Sequence, residues 1–267
     1  MQVGFFILMF IIGAIFGSFL CCQARRLRRR EEKKKPLGSR SVCPHCGYRL
    51  KWYDNLPIIS WFMLGGKCRK CRHKIGALEI LSELATALSF ALLSTTINLE
   101  TAAPLDYAIF AITLLLTLSL TFLAIYDGAY GELPTLCLTF SAICAIILVI
   151  LKQWTLFSID GFSFNLFLPP VLSASLLGGL YLVLYLISKG KWVGNGDWLL
   201  AGIIGLALFS PWLSLIALFL ANFSATLIMY PFVRGKNKKS KKIHFGPFLV
   251  LAFVLSLTFS DFLISMI

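Results

Sequence analysis

Charge is scarce in this chain, and negative charge is scarcer still: 14% of its 267 residues are charged, with 12 Asp and Glu against 25 Lys and Arg. With 58% hydrophobic residues and a mean hydropathy of +0.83, this excludes a soluble globular domain, which carries about 25% charged residues. A basic stretch ahead of the first apolar run is also lacking. Met1 to Cys22 holds no Lys or Arg and the charges follow it, so this run is expected to be an uncleaved anchor with an exported N-terminus rather than a secretory signal. No glycine-rich nucleotide loop of the usual soluble kind is present, and no inverted repeat of the kind common in transporters is evident.

What the chain has instead is apolar runs near the length a bilayer requires. Spans are expected at 3 to 22, 78 to 98, 105 to 126, 134 to 151, 166 to 188, 198 to 209, 212 to 233 and 246 to 266. The predicted fold is therefore an all-α polytopic membrane protein of about eight transmembrane helices, in contact with the lipid bilayer. Lys and Arg in short loops stay in the cytoplasm. With the N-terminus outside, the loops 23 to 77, 127 to 133, 189 to 197 and 234 to 245 fall inside, and they hold every basic residue except Lys152. A single kinked span over 198 to 233 would export the run from Arg234 to Lys242, so two crossings are expected there. The net charge of +13 is then a matter of topology and of attraction to anionic headgroups, and no nucleic-acid partner is called for.

The largest inside loop carries C-P-H-C, Cys43 to Cys46, and C-R-K-C, Cys68 to Cys71. Two C-x2-C knuckles at this separation can present four thiolates to one tetrahedral Zn²⁺. The competing thiol-redox reading needs a βαβ context that is absent, and the loop lies on the reducing side by the charge rule. A small cytoplasmic zinc-ribbon-like insertion between the first two helices is the expectation, with His45 and His73 as solvated bystanders. Between the knuckles, W-Y-D-N-L-P-I-I-S-W, Trp52 to Trp61, is an amphipathic aromatic stretch that could rest on the membrane or fold over the site. Asp54 within it suits a turn or cap beside Asn55 and Pro57.

Scarce carboxylates inside apolar runs stand out, because a charged group there is costly and faces helices or water. Asp197 opens a short apolar run after G-N-G, and Asp127 ends another, in A-I-Y-D-G-A-Y-G-E-L-P, on the same side. Gly194 and Gly196 allow the backbone conformations that a close approach to a bound peptide needs. Glu79 and Glu83 share one helical face; Glu83, a turn deeper, divides evenly between a structural contact and a substrate-facing role. Gly13, Gly17 and Ser18 have the spacing for close helix contact.

Taken together, these features resemble the type IV prepilin peptidases, bacterial membrane aspartyl proteases of the G-x-G-D class. The resemblance covers nearly the whole chain: G-S-F-L at 17 to 20, both knuckles, the aromatic stretch, Asp127 with its later L-P, Gly194 to Asp197, and F-G-P-F at 245 to 248. Cys21, Leu199 and Thr135 depart from the family's usual residues. The resemblance implies Asp127 and Asp197 as the catalytic pair and Cys43, Cys46, Cys68 and Cys71 as structural zinc ligands; Gly194, Gly196 and Glu83 are expected beside the pair as substrate-binding or supporting groups. It implies prepilin or pseudopilin substrates, with a short basic leader, a cleavage site after Gly and an apolar helix. It also implies a bacterial inner-membrane location, and N-methylation of the new amino terminus with S-adenosylmethionine as a second activity. The domain division read from the sequence is 1 to 22, a first transmembrane helix; 23 to 77, the basic and zinc-binding part; and 78 to 267, the peptidase part. Two other classes share parts of the pattern: a non-enzymatic membrane scaffold with a zinc docking domain, and a proton or cation transporter with the aspartates as relay groups.

Overall fold

The structure, a computed structural model, describes residues 1 to 33, 41 to 43, 45 to 160, 167 to 190, 193 to 233 and 244 to 265. Pro44 of C-P-H-C, Lys191 and most of the inside loop 234 to 245 lie outside the described residues. The chain separates into two units, Met1–Ser94 and Thr95–Ile267.

In the first unit, two long helices, α1 (Gln2–Glu31) and α3 (Ala77–Leu93), pack together, and the loop between them contains the short α2 (Ile59–Met63). Small residues set how closely they meet. A Cβ at Gly13 would lie 2.6 Å from the Thr86 carbonyl oxygen, and one at Gly17 would lie 2.6 Å from that of Ser82. The pairing is antiparallel, with Gln2 reaching the Ser94 carbonyl at one end and Arg25 ion-paired with Glu79 at the other. Ala87 and Ala91 are fully buried along the same seam. The Gly13 and Gly17 expectation therefore holds as direct backbone contact. Gly17→Val should force the helices apart, at a cost of about 1–3 kcal/mol; a lowered thermal midpoint of the purified protein would register it, and an unchanged one would refute the contact.

α1 does not stop at 22, as the apolar run alone suggested, but carries the Arg25 to Arg30 run as helix to Glu31. The reason is local: Arg, Leu and Glu are good helix formers, and Arg28 Nε donates to Glu32 Oε1 at 2.9 Å across one turn.

The second unit holds α4 (Pro104–Tyr130), α5 (Thr135–Asp160), α6 (Leu168–Ser188), α7 (Asp197–Leu208), α8 (Pro211–Val233), α9 (Gly246–Thr258) and α10 (Ser260–Ser265). Pro104 begins α4 where its missing N–H is harmless, and Gly131 ends it in the left-handed region. Buried hydroxyls on α4 are satisfied within the helix: Thr117 donates to the Thr113 carbonyl and Thr121 to that of Thr117, both at 2.7 Å. The centre is α7, which packs against α5, α6, α8 and α9 and whose Leu200, Ala201 and Ile204 are fully buried. Its approach to α6 is again a backbone contact, since a Cβ at Gly205 would meet the Ser173 carbonyl oxygen and one at Gly178 would come within 2.8 Å of the Gly202 Cα.

All eight expected positions hold helix, and among the described residues six helices are long and apolar enough to cross a membrane. The two shorter ones are α7, of 12 residues, and α9, of 13. At 1.5 Å per residue α7 reaches about 18 Å, against a hydrocarbon core of about 30 Å. The expected span at 246 to 266 is broken after Thr258, with α10 following. The described chain is thus an all-helical, multi-pass membrane protein.

Candidate active site

Asp127 sits one turn before the end of α4 and Asp197 is the first residue of α7. Both are buried, at 5% and 6% exposure, although each lies at a helix end where water would ordinarily reach. Backbone geometry holds them in place. The Gly194 N–H donates to Asp197 Oδ2 at 2.8 Å, closing the G-N-G-D turn around the carboxylate, which also sits at the helix end where amides favour negative charge. Asp127 Oδ2 accepts from the Gly246 N–H at 2.9 Å, a partner that starts α9.

Both carboxylates line one cavity of about 420 Å³ in the second unit, bounded by the α4–α5 turn, the G-N-G-D turn and His244. The glycines keep the walls close. A Cβ at Gly196 would meet Leu133 Cδ1 at 2.8 Å, and one at Gly194 would crowd Asp197 Oδ2 at 3.1 Å. Gly131, at φ 70°, donates its N–H to the Asp127 carbonyl at 2.7 Å, and a Cβ there would lie 2.9 Å from His244 Nε2. Two buried carboxylates lining one cavity are the equipment of acid–base hydrolysis, in which one group takes a proton and the other gives one.

The first unit holds a separate constellation. Cys43, Cys46, Cys68 and Cys71 bring their sulfurs within 4.8 Å of one another. The separations of 3.9 Å for Cys43 and Cys71 and 4.0 Å for Cys46 and Cys68 are near the sulfur–sulfur edge, about 3.8 Å, that a tetrahedral site with Zn–S of about 2.3 Å requires. The two knuckles repeat one design: the Cys43 N–H donates to the Tyr48 carbonyl and Gly47 back to Cys43, while Cys68 donates to His73 and Arg72 back to Cys68. The amides of Cys71 and Lys70 outweigh burial and bring the Cys68 thiol down to about 7. Cys71 stands at about 11; the His73 amide lowers it, but burial and its sulfur neighbours raise it further. A dication would let all four ionise together. The donors therefore fit a metal such as zinc. His45 and His73 stack on each other with centroids 4.5 Å apart, outside this four-sulfur set.

Asp54 caps its turn as expected, accepting the Lys51 N–H at 3.1 Å, and it is paired with Arg69 Nε at 2.7 Å. Burial alone would raise its pKa, but the Arg69 contact and the Lys51 amide outweigh it and hold the group low. Glu83 lies in the first unit, where its Oε2 accepts the Ile58 N–H at 2.7 Å, so a structural contact is established for it. The sequence did not single out Gly246 and His244 as site residues. Their signal was the F-G-P-F motif, quoted only as part of a resemblance.

The family model described as "Bacterial Peptidase A24 N-terminal domain" matches residues 11–97. The chain is 31% identical to the prepilin leader peptidase/N-methyltransferase of Dichelobacter nodosus, over 79% of this chain and 68% of that protein. It is 26% identical to the enzyme of the same name from Pseudomonas aeruginosa, over 94% and 89%, and 28% identical to that of Aeromonas hydrophila, over 96% and 91%. No solved structure matches.

Proposed function

The chain belongs to the prepilin leader peptidase/N-methyltransferase family, and from that premise we propose that it is an aspartyl endopeptidase that removes the short basic leader of prepilin-like proteins at the cytoplasmic face of the inner membrane. The observation that carries this reading is the pair Asp127 and Asp197, buried on different helices and lining one cavity. Water attacks the carbonyl carbon of the scissile amide. One aspartate, ionised, accepts the water's proton, and the other, protonated, donates to the carbonyl oxygen. Collapse of the tetrahedral intermediate breaks the C–N bond, the amine leaving with a proton. Gly194 supports the site by leaving room for the Asp197 carboxylate and Gly196 by leaving room for Leu133, while Glu83 holds the Ile58 turn of the first unit.

In this proposal 23 to 77 is the cytoplasmic metal-binding part and 78 to 267 the peptidase part, with both termini exported. Zn²⁺ on Cys43, Cys46, Cys68 and Cys71 is structural, fixing the two knuckles, and takes no part in hydrolysis. The second activity named for the relatives needs S-adenosylmethionine, which would supply a methyl group to the new amino terminus. A cavity of about 220 Å³ in the first unit is smaller than the whole of such a donor, and its two acids are already engaged, Glu79 by Arg25 and Glu83 by the Ile58 N–H, so this cavity does not fit it.

Purified protein should cut a prepilin-like substrate once, between its basic leader and its apolar helix; failure to cut any such substrate would remove the reading. Gly246→Ala sharpens the test, since the added methyl would sit 2.8 Å from Asp127 Oδ2. The turnover rate should fall by about tenfold or more, equivalent to roughly 1.4 kcal/mol, with thermal stability little changed. Full turnover in that variant would show that the Gly246 contact does not set the position of Asp127.

A further inference from the structure

The loop between α1 and α3 exposes a set of apolar side chains that neither the metal cluster nor the peptidase site uses. Trp52 is 76% exposed, Ile59 57%, Phe62 65% and Met63 76%. Ile59, Phe62 and Met63 follow the i, i+3, i+4 spacing of one face of α2, while Trp61 turns inward to line the cavity of the first unit. An apolar face of this kind on a water-borne domain marks an interaction surface.

Its position is set by a bond. The Ile58 N–H, immediately before α2, donates to Glu83, a buried carboxylate on α3. Glu83 is six residues into a helix long and apolar enough to span a membrane, so the tether lies about 9 Å along the axis from Ala77. The face of α2 is thus held beside the first turns of a spanning helix, the level where headgroups give way to acyl chains. Ile58 is at φ 65°, a conformation that a β-branched residue adopts only when its surroundings impose it, which indicates that the turn is fixed rather than free to withdraw.

Charge decides the occupant. Lys51, Lys67, Arg69, Lys70, Arg72 and Lys74, all in the loop that carries this face, are exposed. The only acid between 41 and 76, Asp54, is buried and paired with Arg69. Four thiolates on a dication would subtract two charges and leave the loop basic. We propose that the α2 face with Trp52 is a membrane-docking surface, inserted into the interface of an anionic leaflet, with the basic side chains on the headgroups.

The test uses the full chain in lipid nanodiscs, with Cys21, Cys22, Cys137 and Cys144 replaced by Ala and the four clustered cysteines kept. A nitroxide is attached at Phe62→Cys, at Met63→Cys or at Arg49→Cys, and retained zinc reports that each variant is folded. In nanodiscs containing phosphatidylglycerol, the Phe62 and Met63 labels should be relaxed by dissolved oxygen and lose access to a water-soluble nickel chelate, while the Arg49 label stays open to it. Lowering the phosphatidylglycerol fraction should return nickel access at Phe62. A Phe62 label as open to nickel as that at Arg49 would overturn the proposal, because the face would be solvated. Screening from both reagents would overturn it too, because the occupant would then be protein, either a peptide or a second copy.

Discussion

Replacing Asp127 by Asn, or Asp197 by Asn, should abolish leader removal while the chain still inserts and folds. A positioned acid or base contributes about 10²- to 10⁴-fold to rate, and here each carboxylate serves in both halves of the proton cycle. Either substitution alone should therefore lose most of the activity, and the double variant should lose little more, because groups that act as a unit are not additive. Stability should move the other way. Both carboxylates are buried, and each accepts a backbone N–H, Asp127 from Gly246 and Asp197 from Gly194. Keeping a carboxylate out of water is costly, and a neutral amide of the same shape relieves that cost while still accepting the N–H bond. The thermal midpoint should stay or rise. A scaffold whose aspartates serve packing would show the reverse, lost stability with no cleavage to lose. Cleavage at a near-normal rate in either variant would refute the pair.

The second large effect is expected at the metal cluster. Purified protein should contain about one zinc per chain. Cys43→Ser combined with Cys68→Ser removes one ligand from each knuckle and should abolish that content. Structural zinc contributes an apparent 10–16 kcal/mol, roughly, in isolated zinc peptides, more than the tenuous backbone ladder of this loop could replace. Among the described residues outside its short helices, the loop has two isolated bridges, Val42 with Arg49 and Lys67 with Lys74, the turn bonds of the knuckles, the Asp54–Arg69 pair and the Ile58–Glu83 bond. Protease sensitivity between the knuckles should rise steeply in the variant. Two disulfides and no zinc in protein purified without oxidant would contradict the metal reading.

Much of this was legible in the sequence for a physical reason: a carboxylate in an apolar run is too costly to be incidental, which pointed to Asp127 and Asp197 without any knowledge of their contacts. The C-x2-C spacing is likewise local, so one short turn per knuckle is enough to predict the cluster. Gly13 and Gly17 were readable because helix seams repeat at three and four residues. The rest depends on distance along the chain. Gly246 supports Asp127 from 119 residues away, and His244 closes the same cavity from that loop; no spacing rule reaches so far. Periodicity also misjudged helix ends, giving α1 too early a stop where its charged tail remains helical, and missing the break between α9 and α10. Glu83 was identified as an unusual acid, yet its partner, the amide of Ile58, depends on a residue at positive φ that no propensity would place there.

The central claim is that Asp127 and Asp197 work across a single water. α4 and α7 each pack on α5 and α9, and both carboxylates line one cavity. The most direct measurement replaces both, Asp127→Cys with Asp197→Cys, in a chain whose Cys21, Cys22, Cys137 and Cys144 are Ala and whose metal cluster is filled. The folded protein in detergent is treated with the shortest bifunctional thiol reagent, and intact mass distinguishes one reagent bridging both thiols from two reagents attached singly. The bridged species should dominate, and a prepilin-like substrate added beforehand should suppress it. Two singly attached reagents, with no bridge at any reagent concentration, would mean that the aspartates do not share a site, and the proposed hydrolysis could not proceed as described.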